Sequence, residues 1–171
     1  MSDANPPPSS EDRRLEALRR LDLMDSLPEE DFNDIVTLAS EICGTPIGLV
    51  SLVDGERQWF KARIGLAAQQ TPRDQAFCAH ALLEPDRLMI VEDATRDERF
   101  VTNPLVTAGP DIRFYAGAPI FSPDGFALGT VCVIDRTPRD VTPEQLEQLQ
   151  FMAQQVIDLL ETRAAARLLS I

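Results

Sequence analysis

A chain of 171 residues holds one domain with its own core and too little for two ordinary ones. Hydrophobic residues at 44% against 26% charged are a globular balance, which excludes collagenous, coiled-coil-only and wholly disordered chains. Twenty-eight Asp and Glu against sixteen Lys and Arg leave a net charge of −12, so neither nucleic acid nor an anionic membrane is expected as a partner.

Residues 1–10, polar and Pro-rich, read as a disordered leader without the basic and apolar regions of a secretory signal. Residues 11–24 carry Leu15, Leu18 and Leu21 at helical spacing, which predicts a short amphipathic helix capped by Ser9 or Ser10. Pro28 fits a first helical position, with Glu29, Glu30 and Asp31 at the positive end of the helix dipole. Phe32, Ile35, Val36, Ala39, Ile42 and Cys43 then form a core-facing stripe, and Gly44 suits a left-handed cap.

Two β-rich runs, Ile47 to Val53 and Arg57 to Ile64, flank Asp54-Gly55 and predict a hairpin. Alternation along the second run puts Phe60, Ala62 and Ile64 on one face and Trp59, Lys61 and Arg63 on the other. Gly65 to Gln70 reads as a loop. Thr71-Pro72-Arg73-Asp74 reads as the cap of a helix through Phe77, Cys78, Ala81 and Leu82, ended by Pro85. Leu88 to Val91 is a short strand, and Asp93 to Pro110 a connector with a turn capped by Asn103.

Arg113 to Phe121 and Phe126 to Ile134 form a second hairpin around Ser122-Pro123-Asp124-Gly125. Thr142 and Gln145 make a capping box that opens a helix reaching the end of the chain. The order gives an α+β domain on an antiparallel sheet of about five strands. Cysteines 43, 78 and 132 cannot all pair within the chain, and without an export signal reduced thiols in the cytoplasm are expected. A single histidine and no Cys-x-x-Cys exclude a four-ligand zinc site, so no metal is expected.

Five segments carry a family resemblance. They are Val53-Asp54 with Arg57-Gln58-Trp59-Phe60-Lys61; Thr71-Pro72-Arg73-Asp74 with Phe77-Cys78-Ala79-His80; Asn103-Pro104-Leu105-Val106; Ile112 through Pro119; and Leu128 through Asp135. In order and spacing, over residues 25 to 165, they resemble a bacterial GAF domain of the type found in histidine kinases and diguanylate cyclases, or standing alone. The resemblance implies a PAS-like sheet with the N- and C-terminal helices packed on one face and a pocket-covering helical insert on the other. Residues 25–140 would be the core, and 141–171 the C-terminal helix of the same domain. It implies a sensory or dimerisation role, and does not supply a ligand.

His80 follows Cys78 by two places, and helical positions two apart point about 200° away from each other. The pair is therefore read as a buried thiol and a rim histidine, and no catalytic residue is assigned. Chromophore-binding GAF domains set a Cys next to a His, whereas Ala79 separates them here, so bilin is not expected. Haem through His80 has no supporting signal, and no cofactor is expected. Pro104 after Asn103 breaks the cyclic-nucleotide signature of the family.

Arg73 and Arg113 stand near the pocket, where a planar guanidinium would grip the carboxylate or phosphate of a small anionic ligand. Alternatively, Arg113 pairs with Asp93, Asp97 or Glu98 and pins the connector. With Trp59 and Tyr115 as aromatic walls, the candidate pocket is Trp59, Arg73, Phe77, Cys78, His80, Arg113 and Tyr115.

Heptad spacing on the last helix leaves a stripe for a partner. A homodimer is expected on Leu149, Met152, Val156, Leu159 and Leu160, helped by Leu15 and Leu18, with a downstream signalling protein or domain as listener. The expected function is a non-enzymatic sensor. The alternatives are a thiol redox enzyme using Cys78 or Cys132, and a ligand-free module whose pocket is filled by Trp59, Phe77 and Phe114.

Overall fold

The computed structural model describes residues 9–169, so the expected leader lies, apart from Ser9 and Ser10, outside the described residues. Ser9 caps helix α1 (Ser10–Arg20): its hydroxyl accepts from the Asp12 amide and Asp12 returns the bond, closing a capping box. Helix α2 (Glu30–Cys43) buries Phe32, Ile35, Val36, Ala39 and Cys43 and ends at Gly44, whose φ of 65° is the left-handed cap expected of a glycine.

Strands β1 (Ile47–Val53) and β2 (Arg57–Ile64) form the first hairpin, and β5 (Phe114–Phe121) and β6 (Ala127–Asp135) the second. Two three-residue strands, β3 (Gln70–Pro72) and β4 (Met89–Val91), pair with β2 and β5. The sheet thus has six antiparallel strands in the order β3-β2-β1-β6-β5-β4, one more than the pattern suggested. The extra strand is β3, at a place read as loop and helix cap. Pro72 is tolerated there because an edge strand spares it a ladder bond, and Gln69 O accepts from the Phe60 amide at 3.0 Å.

The helix expected after Thr71 is correspondingly split. Arg73–Gln75 is a 3-10 turn, Ala76 is extended, and helix α3 is only Phe77–Ala81. The Thr71 hydroxyl caps nothing and instead accepts from Gln58 Nε2 at 2.8 Å. Helix α4 (Pro104–Thr107) starts at the expected Asn103 cap, and α5 (Pro143–Leu169) closes the domain. Among the described residues no helix is long and apolar enough to cross a membrane.

Each face of the sheet has its own core. On one side α2 and α5 cover Val50, Leu52, Phe114, Ala116, Val131 and Val133; on the other, α3, α4 and the connector cover Ile47, Leu49, Val53, Phe60, Tyr115, Cys132 and Ile134. Strict alternation fails on β2. A bulge opposite Val50 and Ser51 adds one residue, so Phe60 faces the insert while Ala62 joins Trp59 on the helical side.

The seam expected between two chains is inside one. Leu18, Leu149, Met152, Val156 and Leu160 are all fully buried in the helical-side core, and Leu15 and Leu159 are half-buried. The outward positions of α5 between Glu144 and Glu161 are polar or acidic apart from Phe151, and its last turns also expose Leu168 and Leu169. The heptad spacing therefore records packing of α5 on its own sheet.

Charged residues tie the terminal helices to this frame. Arg163 of α5 donates to Leu21 O at 2.7 Å and to Glu29 Oε2 at 3.1 Å. Lys61 of β2 has a fully buried side chain, paired with the same Glu29 and donating to Ser26 Oγ and Leu27 O. Its ammonium spends its donors on the α1–α2 loop, which offsets the cost of burying a charge.

Candidate functional site

Between the insert and the sheet lies a cavity of about 130 Å³. Leu49, Gln58, Phe60, Thr71, Tyr115, Cys132 and Ile134 of the sheet form its floor, and Phe77, Leu105 and Ile112 its roof. Leu66 and Ala68 of the β2–β3 loop face Gly109 and Pro110 of the connector at its rim. No residue of this lining is charged.

Much of the space around the cavity is filled by rings. Phe77 stacks on Phe100 with centroids 3.9 Å apart, and Tyr115 lies 5.4 Å from Phe77. Tyr115 lies along its strand above Gly117, where an added Cβ would come within 2.5 Å of the phenol oxygen. That bare backbone lets the Tyr115 hydroxyl reach Thr130 Oγ1 at 3.0 Å. Burial raises the phenol well above its ordinary ionisation range, so it stays neutral.

A polar thread crosses the same floor. Gln58 Oε1 accepts from the Ser51 hydroxyl at 2.8 Å and from the Cys78 thiol at 2.7 Å, while its Nε2 donates to Thr71. Burial pushes the Cys78 thiol up to about 12, against a smaller downward pull from Ser51. Cys132 is raised too, by burial first and then by Cys78. Neither sulfur is a nucleophile at neutral pH.

His80 does not assist. It meets the edge of Phe100 at 4.8 Å, and among the described residues it makes no hydrogen bond to Cys78. Desolvation, and then Arg99, lower its pKa. Among the described residues no group of three His, Cys, Asp or Glu could hold a metal ion.

Of the seven candidate pocket residues, the structure places Phe77 and Tyr115 on the cavity. Cys78 lies behind them in the same core, and His80 stands outside it. Trp59 is on the opposite face of the sheet, because alternation sets it against its neighbours Gln58 and Phe60. Both arginines are committed elsewhere. Arg73 binds Glu11 Oε2 at 2.6 Å and Asp54 O at 3.0 Å. Arg113 donates to Val106 O at 2.8 Å and Ile112 O at 3.0 Å, pinning the connector through carbonyls rather than the expected carboxylates. The small anionic ligand thus finds no cation in the cavity lining.

Gln58, Thr71, Leu105, Ile112 and, as a pocket residue, Cys132 escaped the sequence reading. Gln58 could have been found from the strand period, as the polar residue on the Phe60 face. Cys132 sits on the regular strand β6, on the same face as Ile134, while Thr71, Leu105 and Ile112 depend on a three-residue edge strand and an irregular connector, which leave no periodic trace.

Comparison with known proteins places this geometry. A GAF domain family model matches residues 28–157. The chain is 43% identical over 161 residues to a protein of Pseudomonas aeruginosa named a cyclic di-GMP phosphodiesterase. That match takes in 93% of this chain and 27% of that protein, so the chain spans about a quarter of the relative's length.

Among solved structures, the GAF domain of an Acinetobacter phosphoenolpyruvate-protein phosphotransferase superimposes with a TM-score of 0.63 at 16% identity, covering 90% of this chain and 96% of that one. A free methionine-R-sulfoxide reductase of Neisseria meningitidis, solved with its substrate, superimposes with a TM-score of 0.61 at 15% identity, covering 100% and 99%. These structures share the fold with this chain.

Proposed function

The chain belongs to the GAF domain family, and from that membership we propose that it is a non-catalytic regulatory domain that senses a small molecule in the cavity under α3 and α4. The observation that carries this reading is the uncharged cavity, whose roof continues into the Arg73 turn and so into α1. Occupancy would shift the roof, and α1 and α5 would report the shift to a partner or neighbouring domain. The similarity to a protein named a cyclic di-GMP phosphodiesterase supports a place in cyclic di-GMP turnover. The buried, protonated thiols of Cys78 and Cys132 support the non-catalytic reading over thiol redox chemistry.

Native mass spectrometry of freshly purified protein tests the reading. The expected result is a co-purifying small molecule that leaves on denaturation. Protein that stays empty, also after exposure to a cytosolic metabolite extract, counts against sensing. It would favour the second reading, a ligand-free module, for which the Phe77–Phe100 stack is the specific support.

A further inference from the structure

We infer that the cavity takes a compact, uncharged molecule about the size of a benzene ring, carrying one hydrogen-bond acceptor. The inference rests on the sensory reading above and narrows it to a chemical class.

Size is the first argument. The cavity measures about 130 Å³. Ordinary ligand pockets run from about 300 to 1,000 Å³, whereas an apolar protein cavity of about 150 Å³ accommodates benzene. A cyclic dinucleotide, a bilin or a haem does not fit such a space, and a single small ring does.

Charge is the second. The lining contains no Lys, Arg, His, Asp or Glu. An anion entering it would lose its hydration and find no opposite charge, which costs far more than burying a neutral group. The arginines flanking the insert are held by Glu11 and by main-chain carbonyls.

The third argument is the polar inventory of the walls. The Tyr115 hydroxyl is engaged with Thr130. Gln58 Oε1 already accepts two bonds, and Nε2 donates one of its two hydrogens to Thr71, which leaves a second donor beside the Thr71 hydroxyl. Thr71 accepts that bond; it is half-buried and lines both this cavity and the outer cleft beside Asp54 and Gln70, and among the described residues its own hydroxyl hydrogen meets no protein acceptor. A hydroxyl has one donor to give. A carbonyl or ether oxygen on an otherwise apolar ring would take it, while Leu49, Phe60, Leu105 and Ile112 enclose the carbon part.

The test is an amide-resonance NMR titration of the whole chain with benzene, cyclopentanone, cyclopropanecarboxylate and cyclic di-GMP. The first three probes match in heavy-atom count and differ in polarity. Cyclopentanone is expected to shift the Leu105 and Ile112 amides saturably, benzene to do so about fivefold more weakly, and the two anions to leave them unmoved. Thr71→Val should reduce cyclopentanone to the benzene level. Thr71→Ser, which keeps the hydroxyl and the Gln58 bond, should restore it.

Saturable shifts from either anion, at an affinity equal to cyclopentanone or tighter, would overturn the class and leave the sensory reading standing. Absence of shifts from every probe would also overturn it. Only an empty native mass spectrum in addition would remove the sensory reading itself.

Discussion

The Cys78 sulfur shares one carboxamide oxygen with the Ser51 hydroxyl, in a place that water does not reach. An ionised thiolate there would lose hydration, so the folded chain keeps the thiol protonated at neutral pH. We expect Cys43, Cys78 and Cys132 to resist iodoacetamide at neutral pH until the protein unfolds, as mass spectrometry would read directly; rapid labelling of Cys78 or Cys132 in the folded protein would revive the redox alternative. Gly117 has the opposite character, since its value lies in what it lacks. Gly117→Ala would press a methyl group against the Tyr115 ring and displace the Thr130 bond. The expected loss is about 1–3 kcal/mol of overpacking, measured by urea unfolding. At this scale the sequence revealed residue types better than their partners. Cys78 and Tyr115 were legible as buried by their apolar surroundings, but the partners of Arg73 and Arg113 were not. Carbonyl acceptors belong to every residue, so nothing in the sequence marks which of them a guanidinium will meet.

Helix α1 is bound to the insert by one carboxylate. Glu11 holds the buried Arg14 through two bonds of 2.9 and 3.1 Å, and Arg73 at 2.6 Å. Arg73 in turn opens the short run that leads into α3 and the cavity roof. Substituting Arg73→Gln should raise hydrogen exchange in both α1 and α3 while β1 and β6 keep their protection; unchanged exchange in α1 would show that the pair carries no coupling. The same cluster gives a pH dependence with a definite sign. The Arg14 bonds first, and Arg73 next among the favourable contacts, hold the Glu11 carboxyl at about 2 against an ordinary 4.5. Its contribution to stability is therefore full above pH 4.5 and disappears as the pH falls through about 2. The carboxylate is partly exposed, so the effect is screened and modest, and Arg73→Gln should shrink it in urea unfolding across that window. Elements of this kind were legible where they had a period or a cap: α1 from its serine, α2 from its stripe, both hairpins from their turns. Strand β3 and the break at Ala76 have neither, because three residues cannot establish an alternation and an edge proline resembles a helix start.

On the scale of the whole molecule, one apolar stripe is shared by two architectures. Leu149, Met152, Val156 and Leu160 repeat with the spacing of a coiled-coil seam, and a long amphipathic helix reads the same whether its apolar stripe meets a sheet or a second chain. Within the fold each of these side chains is enclosed by the chain's own sheet and helices. Around Phe151 the outward face of α5 is acidic, its last turn exposes Leu168 and Leu169, and the outward positions of α2 add Glu30, Asp31, Asp34 and Glu41. Two copies carrying −12 each would bring these surfaces together against their mutual repulsion. Leu149→Ala should accordingly act as a core deletion, lowering the unfolding free energy by about 2–5 kcal/mol. The decisive feature is how that loss responds to protein concentration. A leucine inside one chain costs the same at low and high concentration, whereas a leucine in a dimer seam costs more as the dimer populates. Urea unfolding of wild type and variant at two widely separated concentrations measures this difference, and a loss that grows with concentration would return Leu149 to an interface.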